Sequence, residues 1–133
     1  MSKGKFGIAI NCIDGRVQLP VIEWMKKTFG FDYIDMITEP GVDKVMSQVE
    51  DKRIELIKSK VEISVNAHGS KIIVIAGHFD CAGNSVSKEE HLLQIRKALK
   101  VIQEWKLNGV QKIIGIWIED NKEIEVIDKY END

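Results

Sequence analysis

Five side chains in this 133-residue chain carry the chemistry of a metal site. Cys12, Asp14 and Arg16 stand at alternate positions in NCIDGR, and His78 and Cys81 stand three apart in GHFDC. These are the chain's 2 cysteines, and each follows an apolar run. Two thiolates and an imidazole are ligand types that zinc prefers. Three protein ligands leave a fourth position for water, the pattern of a catalytic zinc site rather than a structural one. Zinc lowers the pKa of bound water from about 15.7 to about 7, which gives a hydroxide nucleophile at neutral pH. A carboxylate two residues after a ligand could accept that water's hydrogen bond and aim it, or take the fourth position itself. Arg16 could hold Asp14 through a bidentate contact.

Blander readings stand beside these. A cysteine is often a small buried hydrophobe, and two thiols brought together without metal could form a reversible disulfide. Asp14 could cap the helix that follows, with Arg16 a surface charge. Asp80 reads equally as a partner of the site or as a solvated loop charge. His68, at a helix end, is expected to neutralise the last carbonyls, and His91, in the first turns of a helix, is expected at the surface. Trp24, Trp105 and Trp117 read as core or subunit contacts. No Gly-x-Gly-x-x-Gly run follows the first strand, so no phosphate-cradling loop is indicated.

Bringing the two halves together is a task for the fold. Phe6–Ile10 reads as a short strand. Val21, Ile22, Met25 and Phe29 give Leu19–Phe29 helical spacing, with Pro20 in the first turn and Gly30 as the stop. Tyr33–Ile37 reads as a second strand, closed by Glu39-Pro40-Gly41. A stripe of Val42, Val45, Met46, Val49, Ile57, Val61 and Val65 predicts helix over Val42–His68, broken near Glu50–Lys52 and ended by Gly69. Lys71–Ala76 reads as a strand covered on both faces. Ser87 and Glu90 form a capping box before Leu92, Ile95, Leu99, Ile102 and Trp105, and Gly109 closes that helix. Lys112–Ile118 is a fourth strand. After the Asp120-Asn121-Lys122 turn, Glu123–Ile127 reads as an antiparallel edge strand exposed on one face.

This order predicts an α/β fold of three layers, with a mostly parallel sheet of order 2-1-3-4 and an antiparallel fifth strand at the edge. In such sheets the ligand crevice lies beyond the carboxyl ends of the strands, where the strand order reverses. Here that is between the first and third strands, which is where Cys12, His78 and Cys81 would meet.

Length and composition bound the rest. The chain is read as one domain over residues 1–133. A net charge of -2 argues against a non-specific nucleic-acid binder. No apolar stretch has the roughly 20 residues of a membrane span. The start MSKGKFGIAINC has no apolar segment of signal-peptide length. A cytoplasmic location is expected, where two cysteines read as free thiols, metal ligands or a redox pair.

The motifs resemble those of the β-class carbonic anhydrases, which carry Cys-x-Asp-Ser-Arg after the first strand and Gly-His-x-x-Cys-Gly after the third. Here they stand as Cys12-Ile13-Asp14-Gly15-Arg16 and Gly77-His78-Phe79-Asp80-Cys81-Ala82. The end IIGIWIEDNKEIEVID is similar to the family's last hairpin. The resemblance implies Zn2+ held by Cys12, His78 and Cys81, with Asp14 and Arg16 as a catalytic dyad. The resemblance also implies that Asp14 could serve as a fourth ligand in a closed state. It implies a carbonate dehydratase, a zinc lyase hydrating carbon dioxide reversibly to bicarbonate, in a homodimer or higher homo-oligomer. Gly15 stands where the family has serine, Ala82 stands where it has glycine with Gly83 one place later, and Thr38-Glu39-Pro40-Gly41 replaces Arg-Asn-Ala-Gly. Two alternatives stay open: a non-catalytic zinc-binding or thiol-switch protein on the same fold, and a hydrolase of carbon disulfide or carbonyl sulfide.

Overall fold

The structure, a computed structural model, describes residues 4–132; the first three residues of the basic N-terminal start lie outside them. Its elements are β1 (Phe6–Asn11), α1 (Gln18–Phe29), β2 (Tyr33–Thr38), α2 (Val42–Ser47), α3 (Arg53–His68), β3 (Ile72–His78), α4 (Lys88–Glu104), β4 (Lys112–Ile118) and β5 (Ile124–Glu131). A single 3-10 turn, Gly15–Val17, precedes α1. The sheet order is β2-β1-β3-β4-β5, parallel except for the β4–β5 pair. This is the α/β sheet expected from the order of apolar runs.

The period-2 alternation of the central strands supplies two cores. Ile8, Ile10, Ile73, Ile75 and Ile113 pack with Val42, Val45 and Met46 of α2, Ile57 and Val61 of α3, and Ala98 and Ile102 of α4. Ala9, Val74, Ala76, Ile114, Ile116 and Ile118 pack on the other face with Val17, Val21 and Met25. With helices on both faces, β1, β3 and β4 are buried along nearly their whole length, which is why they read as continuous apolar runs.

Three boundaries differ from the sequence reading. The helical stripe splits into α2 and α3 as expected, but the break opens already after Ser47, so Val49 lies in it, exposed rather than buried. The break has a local cause. Asp51 accepts the Arg53 amide at 2.9 Å and the Arg53 guanidinium at 2.9 and 2.6 Å, an alternative to continuing the helix. β3 runs on to His78, so that histidine sits on the strand itself. β5 continues to Glu131 and is exposed on both faces, with only Ile124 and Ile127 half-buried. A bulge between Gly115 and Ile116 leaves Ile127 out of register and breaks the expected alternation.

Candidate metal centre

β1 and β3 pair only from Ile8↔Ile73 to Ile10↔Ile75. Beyond that point they diverge, and β3 continues for three residues alongside β4 alone. The buried Asn11 shapes the loop leaving β1. Its side chain accepts the Cys12 amide at 2.9 Å and donates to the Val17 carbonyl at 3.1 Å. Gln18 donates to the Cys12 carbonyl from the start of α1. On the other side the chain turns back after His78 through Phe79 and Asp80, the latter in the left-handed region (φ 45), which aspartate tolerates. That turn returns Cys81 toward Cys12.

The result is a compact donor group. One ligand atom from each of Cys12, His78 and Cys81 lies within 4.8 Å of the others, and all three residues are buried. The two sulfurs are 3.9 Å apart and both thiols are free. Two sulfurs on one tetrahedral zinc, each at about 2.3 Å, would be about 3.8 Å apart. Neither ring nitrogen of His78 has a hydrogen-bond partner, although both are buried. An imidazole held without any partner in a protein interior is costly, and a ligated metal relieves that cost. The donor set therefore fits a zinc ion.

The protons respond to one another. The Cys81 thiol lowers Cys12 to about 4 against the opposing effect of burial, and His78 and the Gly41 amide act in the same direction. The same contact with Cys12, together with burial, raises Cys81. One of the two sulfurs is thus favoured as a thiolate, and metal binding would displace the proton of the second to solvent.

Asp14 and Arg16 form a clamp beside this group. Arg16 donates to Asp14 from Nε at 3.0 and 3.2 Å, from Nη2 at 2.7 Å and from its backbone amide at 2.9 Å. These bonds hold Asp14 at about 2, and the carboxylate engages Arg16 with both oxygens. Asp14 also starts the 3-10 turn, so the capping and clamping roles coexist. Arg16 reaches across to the other half of the site, donating to the Asp80 carbonyl at 3.1 Å and its carboxylate at 3.3 Å. Its guanidinium lies 4.7 Å from the Phe79 ring centre.

Comparison with known proteins places the chain in a family. A family model described as "Putative carbonic anhydrase" matches residues 2–128. The chain belongs to the β-carbonic anhydrase family. No curated protein sequence matches it significantly. Among solved structures, isoform I of the β-carbonic anhydrase from Trichomonas vaginalis is 17% identical with a TM-score of 0.60, over 90% of this chain and 81% of that one. The two tetrameric β-carbonic anhydrases from Sordaria macrospora give 13% identity and a TM-score of 0.61, over 94% and 81%. The carbonic anhydrase from Glaciozyma antarctica gives 15% and 0.59, over 91% and 81%. At these identities the solved structures speak for the fold alone.

Of the departures from the β-carbonic anhydrase motifs, the shifted glycine after Ala82 has a steric reason and Gly15 has none. A Cβ at Gly15 would meet nothing within 4 Å, so glycine there is not sterically required. Gly83 is: a Cβ on it would lie 2.8 Å from the Gly41 nitrogen, and one on Gly41 only 2.5 Å from the Gly83 carbonyl oxygen. Gly41 also has φ +57. The glycine one place after Ala82 is where two backbones touch.

Sequence reasoning missed a second polar group. His91, expected at the surface, is 2% exposed and contacts the buried Asp43 at 2.5 Å. Asn84 and Gln94 are buried with them. A signal existed, since His91 stands four residues before Ile95 and seven before Ala98, on the face of α4 that is buried. His68 also differs from expectation: its ring bonds Asp35 at 2.6 Å and stacks on Phe6. Its side chain is turned to β2, where a carboxylate is a stronger partner than helix carbonyls. Trp117 is buried, and Trp24 and Trp105 pack half-buried against the two cores.

Proposed function

We propose that this member of the β-carbonic anhydrase family hydrates carbon dioxide reversibly to bicarbonate, with zinc held by Cys12, His78 and Cys81 and with Asp14 and Arg16 as the catalytic pair. The observation that carries the reading is the buried Cys–His–Cys group with an ionised carboxylate clamped beside it. Zinc held there would act as a Lewis acid that brings the pKa of water near 7.

The chain's own residues supply the remainder. Two thiolates balance the charge of a divalent ion, and neutral His78 completes a three-ligand set. Asp14, held at about 2, is a carboxylate throughout the neutral range and can only accept a hydrogen bond. It therefore orients a water oxygen without donating to it. Arg16, bonded to Asp14 and to Asp80, keeps that acceptor in one position and ties the loop after β1 to the turn after β3. Among the described residues, no helix is long and apolar enough to cross a membrane. A cytoplasmic homodimer or higher homo-oligomer is part of the proposal.

Metal analysis of protein purified without chelators, with stopped-flow hydration assays, tests this reading. We expect one zinc per chain in wild type and in Asp14→Ala, with hydration by Asp14→Ala reduced about 100-fold or more. Cys81→Ser is expected to lose the metal. Stoichiometric zinc without hydration from about pH 7 to about pH 9 overturns the enzymatic reading. Turnover of carbon disulfide or carbonyl sulfide in its place would reassign the substrate.

The 3.9 Å approach of two free thiols favours a second reading, a non-catalytic zinc or thiol-switch protein. A small-molecule disulfide would oxidise the pair to a Cys12–Cys81 disulfide and be reduced to two thiols. Wild-type hydration activity separates the two readings.

A further inference from the structure

Behind the metal group lies a second set of buried polar side chains: Asp43 from the first turn of α2, Asn84 from the loop after Cys81, and His91 and Gln94 from α4. Their hydrogen bonds fix one another. His91 Nδ1 donates to Asp43 Oδ2 at 2.5 Å. The Asn84 amide donates to Asp43 Oδ1 at 3.0 Å and to Gln94 Oε1 at 2.6 Å. The Lys44 amide also donates to Asp43 Oδ1, at 3.0 Å. With both Asn84 hydrogens placed on these oxygens, the 3.3 Å approach of Asn84 Nδ2 to His91 Nδ1 is a contact between two donors.

This set touches the segments that carry His78 and Cys81. The backbone N–H of Asn84 donates to the Cys81 carbonyl at 3.2 Å and closes the turn on which Cys81 sits, so the side-chain bonds that anchor Asn84 anchor that turn. The Asp43 carboxylate fills the space beside Gly77, the residue before His78, where a Cβ would lie 2.6 Å from Asp43 Oδ2. Two residues before Asp43, Gly41 abuts Gly83. Moving Asp43 or Asn84 would move the end of β3, the Cys81 turn and the contact between the two glycines together.

Packing alone does not account for these residues. A carboxylate, an imidazole and two amides cost desolvation that apolar side chains of the same volume would avoid. What such a network provides is a fixed direction for each group it holds. We infer that Asp43, Asn84, His91 and Gln94 are positioning residues of the metal centre, which fix Cys81 and the end of β3 and so set how tightly the metal is held. This rests on Cys12, His78 and Cys81 being the ligands, and not on carbon dioxide being the substrate.

The test compares wild type with His91→Leu, Asn84→Ala, His91→Asn and Val61→Ala, each loaded with zinc or cobalt(II). The readouts are metal affinity by chelator competition, the rate of metal release, and the thiolate-to-cobalt charge-transfer spectrum. His91→Leu and Asn84→Ala are expected to bind metal about 10- to 100-fold more weakly and to shift the spectrum, as loss of ligand-supporting bonds does. His91→Asn places an amide N–H near the position of Nδ1 and is expected to recover most of the affinity. Val61→Ala trims the buried face of α3 far along the chain from this set and is expected to lower the melting temperature with wild-type affinity and spectrum. Wild-type affinity and spectrum in His91→Leu and Asn84→Ala overturn the inference, as does equal weakening in Val61→Ala. A wild-type protein that takes up no metal overturns the ligand assignment itself, which separates that failure from this one.

Discussion

Two aspartate–histidine pairs hold opposite ends of the sheet, with nearly the same contact. Near the start of β1, Asp35 meets His68 at 2.6 Å, and beyond the strand ends Asp43 meets His91 at 2.5 Å. Their surroundings differ. The side chains of the first pair are 27% and 37% exposed, and those of the second are 2% and 2%. Asp35 also accepts from Ser64, which bonds Ser70 in turn, and water can serve what remains. Asp43 has only protein partners. Burial rather than distance decides what each pair is worth, because solvent replaces a lost partner only where solvent can reach.

The largest effect is therefore expected at the buried pair. His91→Leu should lower unfolding free energy by about 3 kcal/mol, since it leaves Asp43 in the interior without its histidine. His68→Leu should cost less than about 1 kcal/mol. Urea denaturation of both variants checks the contrast, and equal losses would break it.

Steric predictions follow the same division between crowded and open positions. Gly77→Ala should cost about 1–3 kcal/mol, because its Cβ would lie 2.6 Å from Asp43 Oδ2 and 3.0 Å from Ile95 Cδ1. Gly15→Ser, at a position open to solvent, should change stability by less than about 0.5 kcal/mol. If hydration activity rises in Gly15→Ser at unchanged stability, the missing hydroxyl limits this chain's turnover. Thermal melts together with the hydration assay read both variants.

The smallest effect belongs to a third aspartate, paired with the exposed Arg53. Arg53 holds Asp51 at about 2 through side-chain and backbone hydrogen bonds. A carboxylate lowered in the folded state stabilises above its ordinary value of 3.8, and the contribution is lost as pH falls through about 2. Asp51→Asn should thus lie slightly below wild type at neutral pH and converge with it on acidification. Melting curves collected down that range check this, and a constant offset would show that the pair contributes no pH dependence.

Much of the fold was legible in the chain itself. The runs FGIAI and KIIVIA are too short and too continuously apolar for amphipathic helices, and polar or turn residues bound them. Their order then implied a sheet whose switch point lies between β1 and β3, and the two cysteine motifs follow those strands. The candidate donor group Cys12, His78 and Cys81 was readable because its assembly follows from residue type and from topology. The break after α2 was placed nearly correctly but Val49 was misassigned, because helical periodicity carries straight through a short capped break. His91 was misassigned for a different reason. Its spacing from Ile95 and Ala98 put it on the buried face of α4, but a polar side chain reads as exposed until the partners that satisfy it are known.

The sequence by itself determined the five strands, the sheet order they imply, and the three residues able to hold a metal. All of these rest on local periodicity and on the chemistry of single side chains. Only the tertiary structure decided that Asp43, Asn84, His91 and Gln94 meet behind Cys81, that Gly83 rather than residue 82 must lack a side chain, and that His68 turns to Asp35. Each of those is a contact between elements far apart in the chain. Its energy depends on which groups the fold removes from water together, and no single segment carries that information.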